Sequence, residues 1–244
     1  MTLLGQTPKF RINDISLGPF ERRVLPWMAK RLPAWVVPDH LTYLAQLAAL
    51  LIGFSYWRTT SSLDWLWIAN LGFVIHWWGD SLDGTLARVR HIERNRYGFF
   101  VDHYSDTMAV FLICFGMGLS PLMDMRIALA LVIGYYLLMI LVNLVSMCRG
   151  VFKISFGGIG PTEIRLLIII ANTIVWSLGN PHYTIGRHHL TLYSIFGLFA
   201  AVGLGIYYLI FGEIERRKLS KLDPTPKTAP EPLPDVKPEV SPVK

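Results

Sequence analysis

Residues Gly79–Asp106 read GDSLDGTLARVRHIERNRYGFFVDHYSD, and apolar runs flank them on both sides. The stretch carries four aspartates, Asp80, Asp83, Asp102 and Asp106. A carboxylate at the edge of hydrocarbon is expensive, and such residues mark sites for a cation or a substrate. The fold of the whole chain follows from which segments hold these four and on which faces.

Outward from this stretch, the chain is apolar. Of its 244 residues 52% are hydrophobic and only 16% charged, with a mean hydropathy of +0.41. That composition excludes an ordinary soluble domain and fits a polytopic membrane protein. A helix crossing a bilayer needs about 20 mostly apolar residues. Six windows come near this: His40–Trp57, Leu63–Trp78, Phe99–Leu119, Arg126–Met147, Thr162–Leu178 and Leu190–Phe211. Each must satisfy its own backbone hydrogen bonds in lipid, which requires helices. The expected fold is therefore all-α, a six-transmembrane-helix bundle. The second and third helices should run past their apolar parts to carry the aspartates.

With six spans, the N-terminus, the second and fourth loops and the C-terminus share one side. That side holds sixteen Lys and Arg residues and the other side three, Arg58, Arg126 and Arg187. The bias places both termini and the aspartates in the cytoplasm. The net charge of +6 then reads as topology and attraction to anionic lipid, with no nucleic-acid partner. No short apolar region opens the chain, so no signal peptide is expected. Cys114 and Cys148 are read as packing residues.

Three parts are expected. Residues 1–37 form a cytoplasmic segment whose stretch Gly18–Leu32 mixes Phe20, Trp27 and Leu32 with Arg22, Arg23, Lys30 and Arg31. This pattern predicts an amphipathic helix in the membrane interface, broken or kinked at Pro26 unless that residue lies in the first turn. Residues 38–212 form the six-helix catalytic domain. Residues 213–244 form a disordered cytoplasmic tail, where seven of the fifteen prolines fall after Asp223.

Asp80, Asp83, Gly84, Ala87 and Arg88 are spaced at three and four residues, so one helical face presents all five. Gly98, Asp102 and Asp106 share a face of the next helix at four-residue spacing. Gly84 and Ala87 let a bulky group come close to the backbone. Four carboxylates around one cavity require a cation, and oxygen-only ligands suit Mg²⁺ or Mn²⁺ beside a phosphate. His103 falls off the common face and is read as a packing or hydrogen-bonding residue.

The pattern Asp80-x2-Asp83-Gly84-x2-Ala87-Arg88, then Gly98-x3-Asp102-x3-Asp106, resembles the signature of CDP-alcohol phosphotransferases. Nine residues separate Arg88 from Gly98, against seven or eight in the family, which lengthens the cytoplasmic turn. Pro38-Asp39-His40-Leu41-Thr42 is similar to the family's Pro-Asn-x-x-Thr entry to the first helix. Asp39 stands where Asn is usual, and either can cap a helix. The resemblance implies that Asp80, Asp83, Asp102 and Asp106 hold the metal, two ions in all, and that Asp106 is also the catalytic base. It implies further that Thr42, Gly84, Ala87 and Gly98 contact or admit the CDP-linked donor, and that Arg88 holds a phosphate. The reaction implied is transfer of a phosphatidyl group from CDP-diacylglycerol to an alcohol hydroxyl, with release of CMP, at the bacterial inner membrane. Relatives often pair as homodimers.

The stretch Gly157–Arg165 is the informative one for the acceptor. Lys153 and Arg165 would meet an anionic acceptor, or Glu163 an ammonium group. Pro161 and Glu163 also suit a helix start. The alternatives are a CDP-choline or CDP-ethanolamine phosphotransferase acting on a lipid alcohol, an intramembrane prenyltransferase, and a cation transporter using the same carboxylates.

Overall fold

A computed structural model describes residues 11–12, 17–149, 152–153, 160–185 and 188–224. Seven helices carry the architecture: α1 (Gly18–Ala29), α2 (Pro38–Arg58), α3 (Trp65–Val89), α4 (Asn95–Gly118), α5 (Met125–Arg149), α6 (Pro161–Leu178) and α7 (Leu192–Leu222). The all-α expectation holds, and α2–α7 overlie the six apolar windows. Helices α5, α6 and α7 are long and apolar enough to cross a membrane. Helices α2, α3 and α4 are as long but carry Asp39, Asp80, Asp83, Asp102 and Asp106 among their residues. Lipid-facing character appears in the outer faces, where Leu47, Ile133, Phe199 and Leu209 are exposed.

Four short strands complete the described chain. β1 (Arg11–Ile12) pairs in parallel with β2 (Phe152–Lys153), and β3 (His182–Ile185) pairs antiparallel with β4 (His188–Thr191). Hydropathy reports none of these, because strands of two and four residues are too short to show a period.

Two segments depart from expectation at the ends. Pro26 lies inside α1 past the first turn, yet the helix continues to Ala29, with Lys30 N–H bonded to the Pro26 carbonyl at 3.1 Å. At the other end, α7 continues beyond residue 212 to Leu222. Glu213 pairs with Arg216 at 2.7 Å and Arg217 at 2.6 Å, and Glu215 with Lys218 at 2.6 Å and Arg149 at 2.6 Å. The three pairs within α7, at i,i+3 and i,i+4, carry the helix past its apolar part, and Arg149 ties it to α5. The proline-rich residues from 225 onward lie outside the described residues.

The helices meet closely where glycine permits. A Cβ on Gly53 would fall 2.5 Å from the Leu112 carbonyl, so α2 and α4 cross in backbone contact. A Cβ on Gly79 would fall 2.7 Å from the Leu41 carbonyl, which locks α3 against α2 beside the aspartates. One core unites Ile52, Tyr56, Leu66, Phe73, Leu122 and Val175; a second unites Leu25, Ala29, Leu41, Leu82 and Leu86 under α1. Glu21 anchors α1, accepting from Trp77 Nε1 at 3.0 Å and from Thr162 Oγ1 at 2.6 Å.

Candidate active site

α3 runs unbroken through Asp80, Asp83, Gly84, Ala87 and Arg88, and α4 begins at Asn95 ahead of Gly98, Asp102 and Asp106. The two carboxylate faces are therefore helical. The charge of Asp106 is felt together with those of Asp80, Asp102 and Asp83 and with the positive charge of Arg165. Asp83 senses Asp80 and Asp102 in the same way. The four aspartates thus share one electrostatic neighbourhood.

Two of them already have partners from other helices. Arg165 Nη2 donates to Asp80 Oδ2 at 2.6 Å, and both side chains are largely buried. Thr42 Oγ1 donates to Asp83 Oδ2 at 2.7 Å. Thr42 stands there because Gly79 lets α2 and α3 touch. α6 brings Arg165 because Pro161 fixes its first turn and Glu163 accepts from the Gly160 amide at 2.9 Å.

The donor set fits a hard divalent ion chemically, being all oxygen and anionic. Among the described residues no three such groups converge closely enough to hold one ion. Asp80 and Asp83 are directed toward protein partners, Arg165 and Thr42.

The remaining sequence candidates fall into three groups. Arg88 folds back over Gly84, where a Cβ would lie 3.4 Å from its Nη1, and its Nη2 donates to Thr85 Oγ1 at 3.1 Å. It lines a cleft of about 390 Å³ between α1 and the end of α3, with Glu21, Arg22 and Thr85. Ala87 is half-buried, and around Gly98 an added Cβ would meet no atom within 4 Å. Glu163 serves the backbone, its oxygens accepting from Gly160 N–H and from Leu17 N–H at 2.8 Å. Lys153 lies in β2, paired with Ile12, and its side chain lies outside the described residues. His103 is 2.9 Å through Nδ1 from the Phe99 carbonyl, which fits a hydrogen-bonding role.

The long turn between α3 and α4 is held to the entrance of α2. Arg90 donates to the carbonyls of Leu32 and Pro33, each at 2.9 Å, and to that of Val36. Asp39 takes the Arg94 guanidinium at 2.6 Å and the Tyr97 hydroxyl at 3.2 Å. That hydrogen bond raises the Arg94 pKa above its ordinary value. Asp39 does not cap α2: Val37 is the N-cap, and its N–H reaches His40 Nδ1 at 3.4 Å. The departure at Asp39 and the longer turn are thus one physical arrangement.

Sequence reasoning passed over two residues here. Tyr135 of α5 lies in the field of Asp106, Asp80 and Arg165. His76 of α3 lies in the field of Arg165 and Asp80. Tyr135 belongs to an apolar run and gives no signal of its own. His76 precedes Asp80 by four residues, a spacing that was available.

The described helices form an α-helical bundle in which aspartates of α3 and α4 lie in one electrostatic neighbourhood, with Arg165 bonded to Asp80. The sequence profile of CDP-alcohol phosphatidyltransferase matches residues 35–207, and the chain belongs to that family. No curated protein matches the chain. Membership makes it a transferase of phosphate-containing groups in lipid synthesis, working on a CDP-linked donor and an alcohol in a membrane lipid environment.

Proposed function

We propose that this chain transfers a phosphatidyl group from CDP-diacylglycerol to the hydroxyl of a small alcohol and releases CMP. The observation that supports this reading is the pairing of Asp80 with Arg165 of α6 and of Asp83 with Thr42 of α2, on a helix face whose charges are felt by Asp106 of α4. Asp80, Asp83, Asp102 and Asp106 would hold Mg²⁺ or Mn²⁺, two ions in all. Such ions, when bound, neutralise the pyrophosphate and the charge developing on the attacking and leaving oxygens.

The protein's own part is positional. Gly84, Ala87 and Gly98 leave room for the nucleotide, and Arg88 holds a phosphate from the end of α3. Asp106 accepts the proton of the acceptor hydroxyl as its oxygen attacks the phosphorus distal to cytidine. The bond from that phosphorus to the oxygen of CMP breaks, and CMP leaves with the bonding electrons. Arg165 would meet an anionic acceptor.

Six helices, α2–α7, would cross the membrane, with α1 in the cytoplasmic interface. The Lys and Arg bias supports cytoplasmic termini and active site; a bacterial inner membrane would be the setting. A homodimer is the expected assembly. A CDP-choline or CDP-ethanolamine donor with a lipid alcohol is the second reading, since the signature is common to both donor types. CMP release by purified protein, with both donor types and a panel of alcohols, followed by mass analysis of the lipid, decides between them. Release with neither donor type overturns both readings, and release that survives thorough chelation overturns the metal role.

A further inference from the structure

The reaction proposed above leaves one buried side chain beside the cluster without a task. His76 is 4% exposed, and neither Nδ1 nor Nε2 has a hydrogen-bond partner. Among the described residues, only His76 and Asn180 bury side-chain polar atoms in this state. A buried polar atom with no partner forfeits its hydration and destabilises the fold, so an imidazole left this way calls for an explanation.

Its position supplies one. His76 precedes Asp80 by about one turn of α3, on the same face. It senses the charges of both Arg165 and Asp80. Arg165 is itself 13% exposed and bonded to Asp80 at 2.6 Å. In the reaction proposed above, Asp80 must also serve a divalent cation. A guanidinium and a divalent cation on one carboxylate repel each other, strongly so in a low-dielectric bundle. When Asp80 turns to the ion, Arg165 needs another acceptor, because a buried charge without a partner is costly. A neutral imidazole has a nitrogen lone pair to give.

We propose that Arg165 is a built-in counter-ion that passes between two partners, Asp80, to which it is bonded at 2.6 Å, and His76 when Asp80 turns to a divalent cation. The inference rests on the divalent-ion reading of the aspartates and adds the exchange. Arg165 neutralises part of the carboxylate cluster before loading. His76 then holds the displaced guanidinium at the edge of the site. His76 acts here as a positioning residue, through Arg165.

The test is Mn²⁺ binding, with the metal alone, to the purified full chain in lipid nanodiscs, free ion being read by electron paramagnetic resonance. Arg165→Gln removes the competitor and should tighten binding by roughly tenfold. His76→Phe removes the second acceptor and should weaken it by roughly tenfold. The double variant should bind like Arg165→Gln alone, because without the guanidinium His76 has nothing to receive. His76→Gln keeps an acceptor oxygen and should stay near the parent. Equal weakening by His76→Phe in both backgrounds means a packing role and overturns the exchange, as does looser binding in Arg165→Gln. Absence of Mn²⁺ binding from the parent and from every variant overturns the divalent-ion reading itself. The first two failures leave parent Mn²⁺ binding intact, so the two levels are told apart.

Discussion

Thr42 on α2 donates its hydroxyl hydrogen to Asp83 on α3 across 2.7 Å, and the two helices can come this close because Gly79 carries no Cβ against the Leu41 carbonyl. A hydrogen bond to a charged group contributes about 1.5–3 kcal/mol. Here it also sets the direction of a carboxylate that the proposed reaction needs. Thr42→Ser should keep CMP release near the parent rate. Thr42→Val should lower it by roughly tenfold or more through a raised donor KM, on the scale of one charged hydrogen bond. Steady-state CMP release against donor concentration reads both, and an unchanged KM in Thr42→Val removes Thr42 from the site.

Asp106 separates binding from chemistry. It follows Asp102 by one turn of α4 and shares the field of the other three aspartates. As the base it should leave donor affinity largely intact when changed to Asn, while turnover falls by roughly 100-fold or more, the scale of acid–base groups. Asp83→Asn should weaken donor binding and rate together. Donor titration alongside CMP release distinguishes them. Near-parent turnover in Asp106→Asn removes the base assignment, and equal loss of donor binding in both makes Asp106 chiefly a metal ligand.

Gly98 and Gly79 should respond oppositely to a side chain. A Cβ at Gly98 meets no atom within 4 Å, so the fold does not require glycine there. A Cβ at Gly79 falls 2.7 Å from backbone. Gly98→Val should therefore unfold near the parent temperature yet lose donor binding, if the open space receives the nucleotide. Gly79→Val should destabilise the protein by about 1–3 kcal/mol, the range for overpacked sites. Thermal unfolding in detergent and donor titration on both variants check this. A stable Gly98→Val that binds donor normally removes Gly98 from the binding surface.

The helices and the carboxylate faces were legible because both are periodic. Apolar windows marked α2–α7, and the three- and four-residue spacing of Asp80, Asp83, Gly84, Ala87 and Arg88 survived unchanged in α3. What sequence could not report was partnership between helices. Arg165 stands on α6, and nothing in its own segment says that it faces Asp80, 85 residues earlier. Glu163 carried two readings, and the structure gives its oxygens to the amides of Gly160 and Leu17. The pairing of Asp39 with Arg94 joins two departures from the family pattern that look independent along the chain. His76 was missed for another reason: a lone histidine in an apolar segment reads as packing until its ring nitrogens are found without partners.

Asn172 on α6 is the hub of a buried polar network away from the aspartates. Its Oδ1 accepts from the Tyr56 hydroxyl at 3.0 Å and from the Tyr193 hydroxyl, and its Nδ2 donates to Asn70 Oδ1 at 2.6 Å. Four helices, α2, α3, α6 and α7, meet in this one group. Asn172→Leu has similar volume but takes the shared acceptor from two hydroxyls and the donor from an amide oxygen, each in a buried place. An unsatisfied buried group costs about 1–3 kcal/mol, so the variant should lose several kcal/mol, or fail to assemble. Tyr56→Phe removes one donor while Asn172 keeps the others, and should lose about 1 kcal/mol. The pair Asn172→Leu with Tyr56→Phe should be less destabilised than the sum of the two, because the hydroxyl left unpaired by the first change is deleted by the second. Equilibrium unfolding of the three variants in mixed micelles measures this. Strict additivity would mean that Tyr56 and Asn172 stabilise the bundle separately, through packing and not through their hydrogen bond.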